Sequence, residues 1–337
     1  MRRALVTGAT GQVGAYVVER LVADGWHVRA LVRSPGEAAW LESLGATLIA
    51  GDILDAARFR AAAEGCDALF HAAAMVTGRG GWEMYRTANI DGTRNAIEAA
   101  AAAGARLLQV SSVAVYGDTA RYRDEPTGED IPFGPLPENA HYARTKRESE
   151  ALVLRAHAEG RLWACAVRPD VIYGRYDRQF IPRVARVMDR GFFPIFAGGG
   201  STLAMVHAAN VADGAVRAVD AAGAGGRAYN LANDFEVTVN EFVALAAEGL
   251  GHRVARVPVP IPVARLGFKM MKWAVRVIRG PSMSRDAANV LSFMTRGNPF
   301  TSERARRELG WSPPVRPEHG VPEAFRSWKE RQGRVRS

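Results

Sequence analysis

The sequence predicts an α/β chain, a doubly wound parallel sheet followed by a smaller, mainly helical domain, on three observations. Short apolar runs alternate with longer amphipathic stretches through the first half, as a parallel sheet covered by helices requires. The helical stretches stop at or beside a glycine, the residue that most easily takes the left-handed turn at a helix end. The first strand runs straight into "TGATGQVG" (7–14), with Gly8, Gly11 and Gly14 spaced three apart where a helix must begin.

In chain order, the strands are expected at 2–7, 27–33, 46–50, 67–73, 106–112 and 162–169, with "RAYNLAN" (227–233) returning to the same sheet. Helices are expected at 12–23 before Asp24-Gly25, at 55–64 before Gly65, at 82–103 before Gly104, and at 140–158 near Gly160. Right-handed crossovers between such strands give the doubly wound, or Rossmann, sheet. After about residue 174 the alternation fades and apolar helical stretches appear around 240–250 and 262–279. The division read from this is 1–173 with 203–233 as a dinucleotide-binding domain, and 174–202 with 234–330 as a substrate-binding domain.

Composition narrows the class. A chain of 337 residues, 48% hydrophobic and 23% charged, has the makeup of a globular protein. Cys66 and Cys165 sit in apolar stretches and no secretory pattern opens the chain, so a reduced, cytoplasmic setting is expected. No uncharged apolar run reaches the 18 or so residues of a spanning helix. The net charge of +9 comes from arginines spread along the chain without an accompanying nucleic-acid motif, so no nucleic-acid partner is expected. The basic amphipathic stretch 262–279 reads as a lid or packing helix in preference to one lying on a membrane. No His, Cys or carboxylate cluster has metal-ligand spacing, and no metal is expected.

The glycine triplet carries chemistry because a strand, a tight turn and a helix N-terminus bring backbone N–H groups against a pyrophosphate. Gly8, Thr10, Gly11, Gln12, Val13 and Gly14 are therefore candidate cofactor contacts. At the end of the second strand a dinucleotide fold reads the adenosine ribose, with an acid for a 2′-hydroxyl or an arginine for a 2′-phosphate. The chain has Arg33 there and no acid, which argues for NADP, with NAD as the alternative. Asp52 and Ile53 in "AGDILD", and Ala72, Ala73 and Ala74 in "FHAAA", would line the adenine and the central cofactor groove.

"HYARTK" (141–146) places Tyr142 and Lys146 four apart, on one helical face, in a chain with four lysines among its 44 basic residues. "TGATGQVG", "GDILD", "FHAAA", "NIDGT", "SSVAVYG", "YARTK" and "RPDVIYG" stand in the order and spacing of the extended short-chain dehydrogenases/reductases, the NAD-dependent epimerase/dehydratase superfamily, which the chain resembles over most of its length. "VRALVRSP", "RPDVIYGRYDRQFIPRV" and "VHAANVADGAVRAV" are most similar to its 3β-hydroxysteroid dehydrogenase and dihydroflavonol reductase branch.

The resemblance implies roles residue by residue. Tyr142 transfers the proton and Lys146 tunes it and holds the cofactor ribose. Ser112 polarises the substrate carbonyl, with Ser111 as the neighbouring alternative, and Asn89 belongs to a proton relay or satisfies its own helix. Pro169 and Val171 join the cofactor contacts. An ammonium about 4 Å from the phenolate would lower the Tyr142 pKa by roughly three units, toward about 7. The implied activity is interconversion of a secondary alcohol and a ketone on a hydrophobic substrate, a guess that Phe133, Phe192, Phe193 and Trp273 also motivate. A sugar-nucleotide epimerase or dehydratase and a non-catalytic nucleotide sensor are the rivals. Many relatives dimerise, so a homodimer is implied. His71 and His207 read as structural.

Overall fold

The computed structural model describes residues 1–76, 80–117, 126–232, 234–267, 270 and 286–336. Its first unit is built on β1 (Arg3–Thr7), α1 (Gln12–Ala23), β2 (His27–Val32), the one-turn α2 (Pro35–Ala38), β3 (Thr47–Ala50), α3 (Ala56–Ala63) and β4 (Ala68–His71). It continues through α4 (Trp82–Arg86), α5 (Gly92–Ala103), β5 (Arg106–Val110), α6 (His141–Ala158) and β6 (Ala164–Pro169). The chain then runs through β7 (Val171–Tyr173), α7 (Phe180–Met188), β8 (Phe192–Phe196), β9 (Met205–His207), α8 (Ala208–Asp220), β10 (Ala228–Leu231), α9 (Val239–Leu250) and β11 (Ala255–Val259).

Seven strands form one sheet in the order β10-β6-β5-β4-β1-β2-β3, every pairing parallel. The order reverses between β1 and β4, the switch point at which open α/β sheets bind ligands beyond their strand ends. β1 and β4 are fully buried apart from Arg3, as strands covered on both faces must be. α1 and α8 cover one face, while α3, α5 and α6 cover the other. On the α3/α5/α6 face Leu5, Phe59, Leu69, Ile97, Leu107 and Val153 form a continuous apolar core.

The stretch 82–103, expected as one helix, is α4 and α5 joined through a π-turn at Thr87–Asp91. The Gly92 N–H bonds the carbonyl of Thr87, five residues back, and Thr93 Oγ1 donates to the Asn89 carbonyl at 2.7 Å. One extra residue in this turn accompanies a buried Asn89.

The first unit comprises Met1–Ile172, Val206–Asp234 and Phe300–Val315. The last of these segments departs from the expected division, which placed all of 234–330 in the substrate domain. It returns because Asn210 on α8 exchanges two 2.8 Å hydrogen bonds with the Val315 backbone, and Phe300 lies 5.5 Å from the Tyr116 ring. The second unit comprises Tyr173–Met205, Phe235–Pro299 and Arg316–Ser337. There β8 pairs in parallel with β11, and Phe242 on α9 packs on Phe180 and on Phe325 of the helix Pro317–Arg336. Most of 262–279, including Trp273, lies outside the described residues. Among the described residues no helix is long and apolar enough to cross a membrane, and no three His, Cys, Asp or Glu are grouped to hold a metal ion.

Candidate active site

The glycine turn is tight on every side. Gly8 has φ 67°, and a Cβ there would stand 2.6 Å from the Ala73 nitrogen, so the turn and the segment after β4 touch backbone to backbone. A Cβ on Gly14 would stand 2.2 Å from the Gly8 carbonyl oxygen. Gly11 N–H closes the turn onto that oxygen at 2.8 Å, and Gly11 is the N-cap of α1 with no side-chain cap. The first N–H groups of α1, those of Gln12, Val13 and Gly14, are left without intrahelical partners, as at any helix start. Among the described residues the buried Gln12 Nε2 also has no partner. Thr10 completes this turn. A pyrophosphate suits such a donor cradle.

Arg33 follows β2 directly and is exposed. Asp52 and Ile53 follow β3 and are partly buried. Asp52 Oδ1 accepts the Leu54 N–H at 2.9 Å, and the Ile53 carbonyl accepts Asn95 Nδ2 at 2.8 Å. Ala72, Ala73 and Ala74 follow β4, with the Ala73 N–H on Thr7 Oγ1 at 3.4 Å. Pro169 ends β6, paired with Leu231, and Val171 starts β7.

Beyond the carboxyl end of β5, Ser112 caps the 3₁₀ turn Val113–Tyr116, its Oγ accepting the Ala114 N–H at 3.2 Å. Ser112 also shares a side-chain hydrogen bond with Tyr142, in the first turn of α6. Ser111 makes no such contact; its buried Oγ has no partner among the described residues. Burial raises the Tyr142 pKa, and the Ser112 hydrogen bond acts against that rise.

Lys146, 3% exposed, turns its Nζ to the backbone carbonyl of Val110, the last residue of β5. Burial lowers its pKa to about 8, with the Glu150 carboxylate pulling the other way. The expected fall of the Tyr142 pKa toward 7 is therefore corrected: the groups acting on the phenol are its buried surroundings and Ser112, and the Lys146 ammonium is engaged by a strand end.

Asn89 is 2% exposed. Its Oδ1 accepts the Met75 N–H at 2.7 Å, and its Nδ2 donates to the Met75 carbonyl at 3.1 Å and to Thr145 Oγ1 at 3.0 Å. It thus ties the segment after β4 to α6, between Tyr142 and Lys146. This is a fastening between elements: the side-chain amide is satisfied by Met75 and Thr145 and not by its own helix backbone.

The two histidines keep structural surroundings. His207 caps α8 by accepting the Ala209 N–H. His71 Nδ1 stands 2.8 Å from Thr7 Oγ1, and burial, with the Lys146 charge behind it, lowers its pKa to about 3. Phe133 is 38% exposed, with its ring 5.7 Å from Tyr116 and beneath the guanidiniums of Arg147 and Arg168.

Sequence reasoning missed three buried groups. Glu150 lies one turn beyond Lys146, and Arg168 on β6 grips it, Nε 3.0 Å from Oε2 and Nη2 2.5 Å from Oε1. The signal was a carboxylate at i+4 from the lysine. Asp170, just beyond β6, bonds the Val171 N–H through Oδ1 at 2.8 Å, while its buried Oδ2 has no partner among the described residues. Burial raises its pKa to about 7, a shift that no spacing in the sequence signals.

A family model described as the NAD dependent epimerase/dehydratase family matches residues 4–232. A 4-hydroxy-2-methyl-3-oxo-4-farnesyl-3,4-dihydroquinoline-1-oxide ketoreductase of Stigmatella aurantiaca is 32% identical, covering 95% of this chain and 94% of its own. A 3 beta-hydroxysteroid dehydrogenase/Delta 5→4-isomerase of Mycobacterium tuberculosis is 29% identical, covering 92% of this chain and 86% of its own. Among solved structures, the UDP-glucuronic acid 4-epimerase from Bacillus cereus in complex with NAD superposes with a TM-score of 0.74 at 19% identity, covering 97% of this chain and 99% of that one. At that identity the likeness is one of fold.

Proposed function

The chain belongs to the NAD-dependent epimerase/dehydratase family of extended short-chain dehydrogenases/reductases, on its 3β-hydroxysteroid dehydrogenase-like side, and we propose that it interconverts a hydrophobic ketone and its secondary alcohol with NADP. The observation that carries this reading is the Ser112–Tyr142 hydrogen bond with Lys146 one turn further along the same helix. Among the described residues, the exposed Arg33 guanidinium has no partner of its own, which supports an NADP preference over NAD. The hydrophobic substrate is supported by the relatives, which are named for acting on a farnesylated quinoline ketone and a steroid, and by the exposed Val76 beyond the β4 strand end.

The glycine turn and the free N–H groups of α1 hold the pyrophosphate, Asp52 and Ile53 the adenine, Arg33 the 2′-phosphate, and Ala72–Ala74, Pro169 and Val171 the inner half of the cofactor. When bound, the dinucleotide supplies or accepts the hydride. Ser112 orients the carbonyl by donating to its oxygen as negative charge develops there. Tyr142 delivers the proton to that oxygen in reduction and removes it in oxidation. The raised Tyr142 pKa keeps the phenol protonated at neutral pH, which suits the acid of the reducing direction. Lys146 is close enough to its own neutral form, at about 8, to exchange a proton with little penalty.

Fluorescence titration with NADPH and NADH, followed by a panel of apolar ketones and alcohols read at the nicotinamide absorbance, tests the reading. Tighter NADPH binding with turnover of an apolar ketone is the expected result. Absence of nucleotide binding overturns it.

A further inference from the structure

Continuing the Tyr142–Lys146 face of α6 lies a chain of buried polar groups. Glu150, 2% exposed, is clasped by Arg168, 4% exposed, whose Nη1 also donates to Tyr116 Oη at 2.7 Å. Tyr116 Oη passes its own hydrogen to Asn230 Oδ1 at 2.8 Å, and Asn230 Nδ2 donates to the carbonyls of Thr127 at 3.1 Å and Thr301 at 3.2 Å. The chain of contacts joins α6, β6, the turn after Ser112 and β10, so the elements that present Ser112, Tyr142 and Lys146 are fixed to it.

A buried ion pair of this kind adds little stability over well-packed apolar residues, since desolvation offsets most of the attraction. Its retention beneath the catalytic helix calls for a second use. Glu150 follows Lys146 by four residues, on the same helical face, and both side chains are out of water. We infer that Glu150 is a positioning residue: held by Arg168, its carboxylate seats the Tyr142–Lys146 face of α6 on β6 and is the counter-charge that keeps Lys146 an ammonium. The inference rests on the proposed function for its catalytic meaning, though not for its test.

The groups that face Lys146 bear this out. His71 on β4 is neutral, the Val110 carbonyl on β5 carries only a dipole, and Tyr142 is a protonated phenol. Arg168 on β6 is turned onto Glu150 and Tyr116. Glu150 is the full negative charge acting on the lysine, and its pull on the Lys146 pKa opposes burial.

With four lysines in the chain, selective ¹³Cε labelling of lysine gives four resonances, and loss of one in Lys146→Met assigns the buried one. In the free full-length protein its midpoint is expected near 8. In Glu150→Gln the midpoint is expected to fall by about one pH unit or more. Because that variant strands Arg168, the doubly neutral Glu150→Gln/Arg168→Met is measured beside it, with thermal melting to show that it folds. A lowered Lys146 midpoint in the folded double variant, with kcat reduced and its pH profile displaced at an unchanged substrate KM, supports the inference. An unmoved midpoint in that folded variant overturns it and leaves the pair a structural clasp. Failure to find any ketone substrate leaves the lysine titration readable, so the two readings fail separately.

Discussion

Ser112 and Tyr142 share a hydrogen bond across the 3₁₀ turn that follows β5, although thirty residues of chain separate them. It is the contact that lowers the Tyr142 pKa, against burial that raises it. Ser112→Ala should therefore act twice. Loss of the donor to the developing oxyanion should cut kcat by about 10²–10³-fold. Loss of its hydrogen bond to the phenol should also move the pH dependence of oxidation upward. A normal rate and an unmoved profile would reassign the polarising role to Ser111, whose hydroxyl is buried at the same strand end.

Tyr142→Phe removes only the hydroxyl proposed to transfer the proton, so turnover should fall by about 10²–10⁴-fold while NADPH affinity measured by fluorescence is retained. Lys146→Arg conserves charge yet should also be severely impaired, since a planar guanidinium cannot replace a compact ammonium aimed at the Val110 carbonyl in a site that is 3% exposed. A rate near that of the unaltered protein in either variant would remove that residue from the mechanism.

The sheet and its helices were legible because their signals are local. Gly104 and Gly8 mark a helix stop and a strand-helix turn by conformations that L-residues with a Cβ avoid, φ 64° and 67°. The pair Tyr142 and Lys146 was legible because helical spacing alone puts both on one face. What the sequence concealed depends on partners distant in the chain. The Val110 carbonyl that receives Lys146 is 36 residues away, and the Asn210 that draws back Val315 is 105 away. Glu150 sat in plain view at i+4, but its use follows only from Arg168, which arrives from a neighbouring strand. The Tyr142 pKa was misjudged for the same reason: spacing gives no measure of burial.

Arg33→Ala should weaken NADPH binding much more than NADH binding, because in the proposed function the guanidinium serves the 2′-phosphate, which NADH does not carry. A charge-assisted hydrogen bond is worth roughly 1.5–3 kcal/mol, or about ten- to a hundredfold in affinity. The exposed position of Arg33 after β2 makes a folding defect an unexpected outcome. Equal weakening of both cofactors, or none, would count against the NADP preference.

His71 should make the fold acid-labile. Its folded pKa of about 3 lies below the ordinary 6.5, so between those values the unfolded chain binds a proton that the folded chain refuses. Stability is then lost as pH falls below about 6.5, at about 1.4 kcal/mol per pH unit until about 3. In His71→Gln, which keeps an acceptor for Thr7, that part of the acid limb should disappear from urea melts taken at pH 7, 5.5 and 4. A variant whose stability falls as steeply as the parent's over this range would place the acid sensitivity elsewhere.

UDP- and dTDP-sugars should neither bind tightly nor turn over, although the sheet superposes on that of a UDP-glucuronic acid 4-epimerase. In the sugar-nucleotide branch, from which "RPDVIYG" (168–174) departs, an asparagine contacting the diphosphate stands where this chain has Val171. An arginine of that branch, in the segment aligned with "TLAMVHAANV" (202–211), falls on Leu203. Val171 is partly buried in the first unit, and Leu203, 3% exposed, is packed within the second. Neither can hydrogen-bond a phosphate oxygen, and a dianion desolvated without partners carries a penalty of several kcal/mol. An apolar ketone gains instead, at about 25 cal/mol for each Å² of apolar surface it buries. Arg175 and Arg178 are the nearby cations that could take the missing arginine's place; Arg175 is paired with Glu323, and Arg178 is exposed. Calorimetry with UDP and a UDP-sugar is expected to show no binding in the micromolar range. Micromolar binding, or epimerised sugar formed with no net change in nicotinamide absorbance, would replace the ketoreductase reading with that of an epimerase.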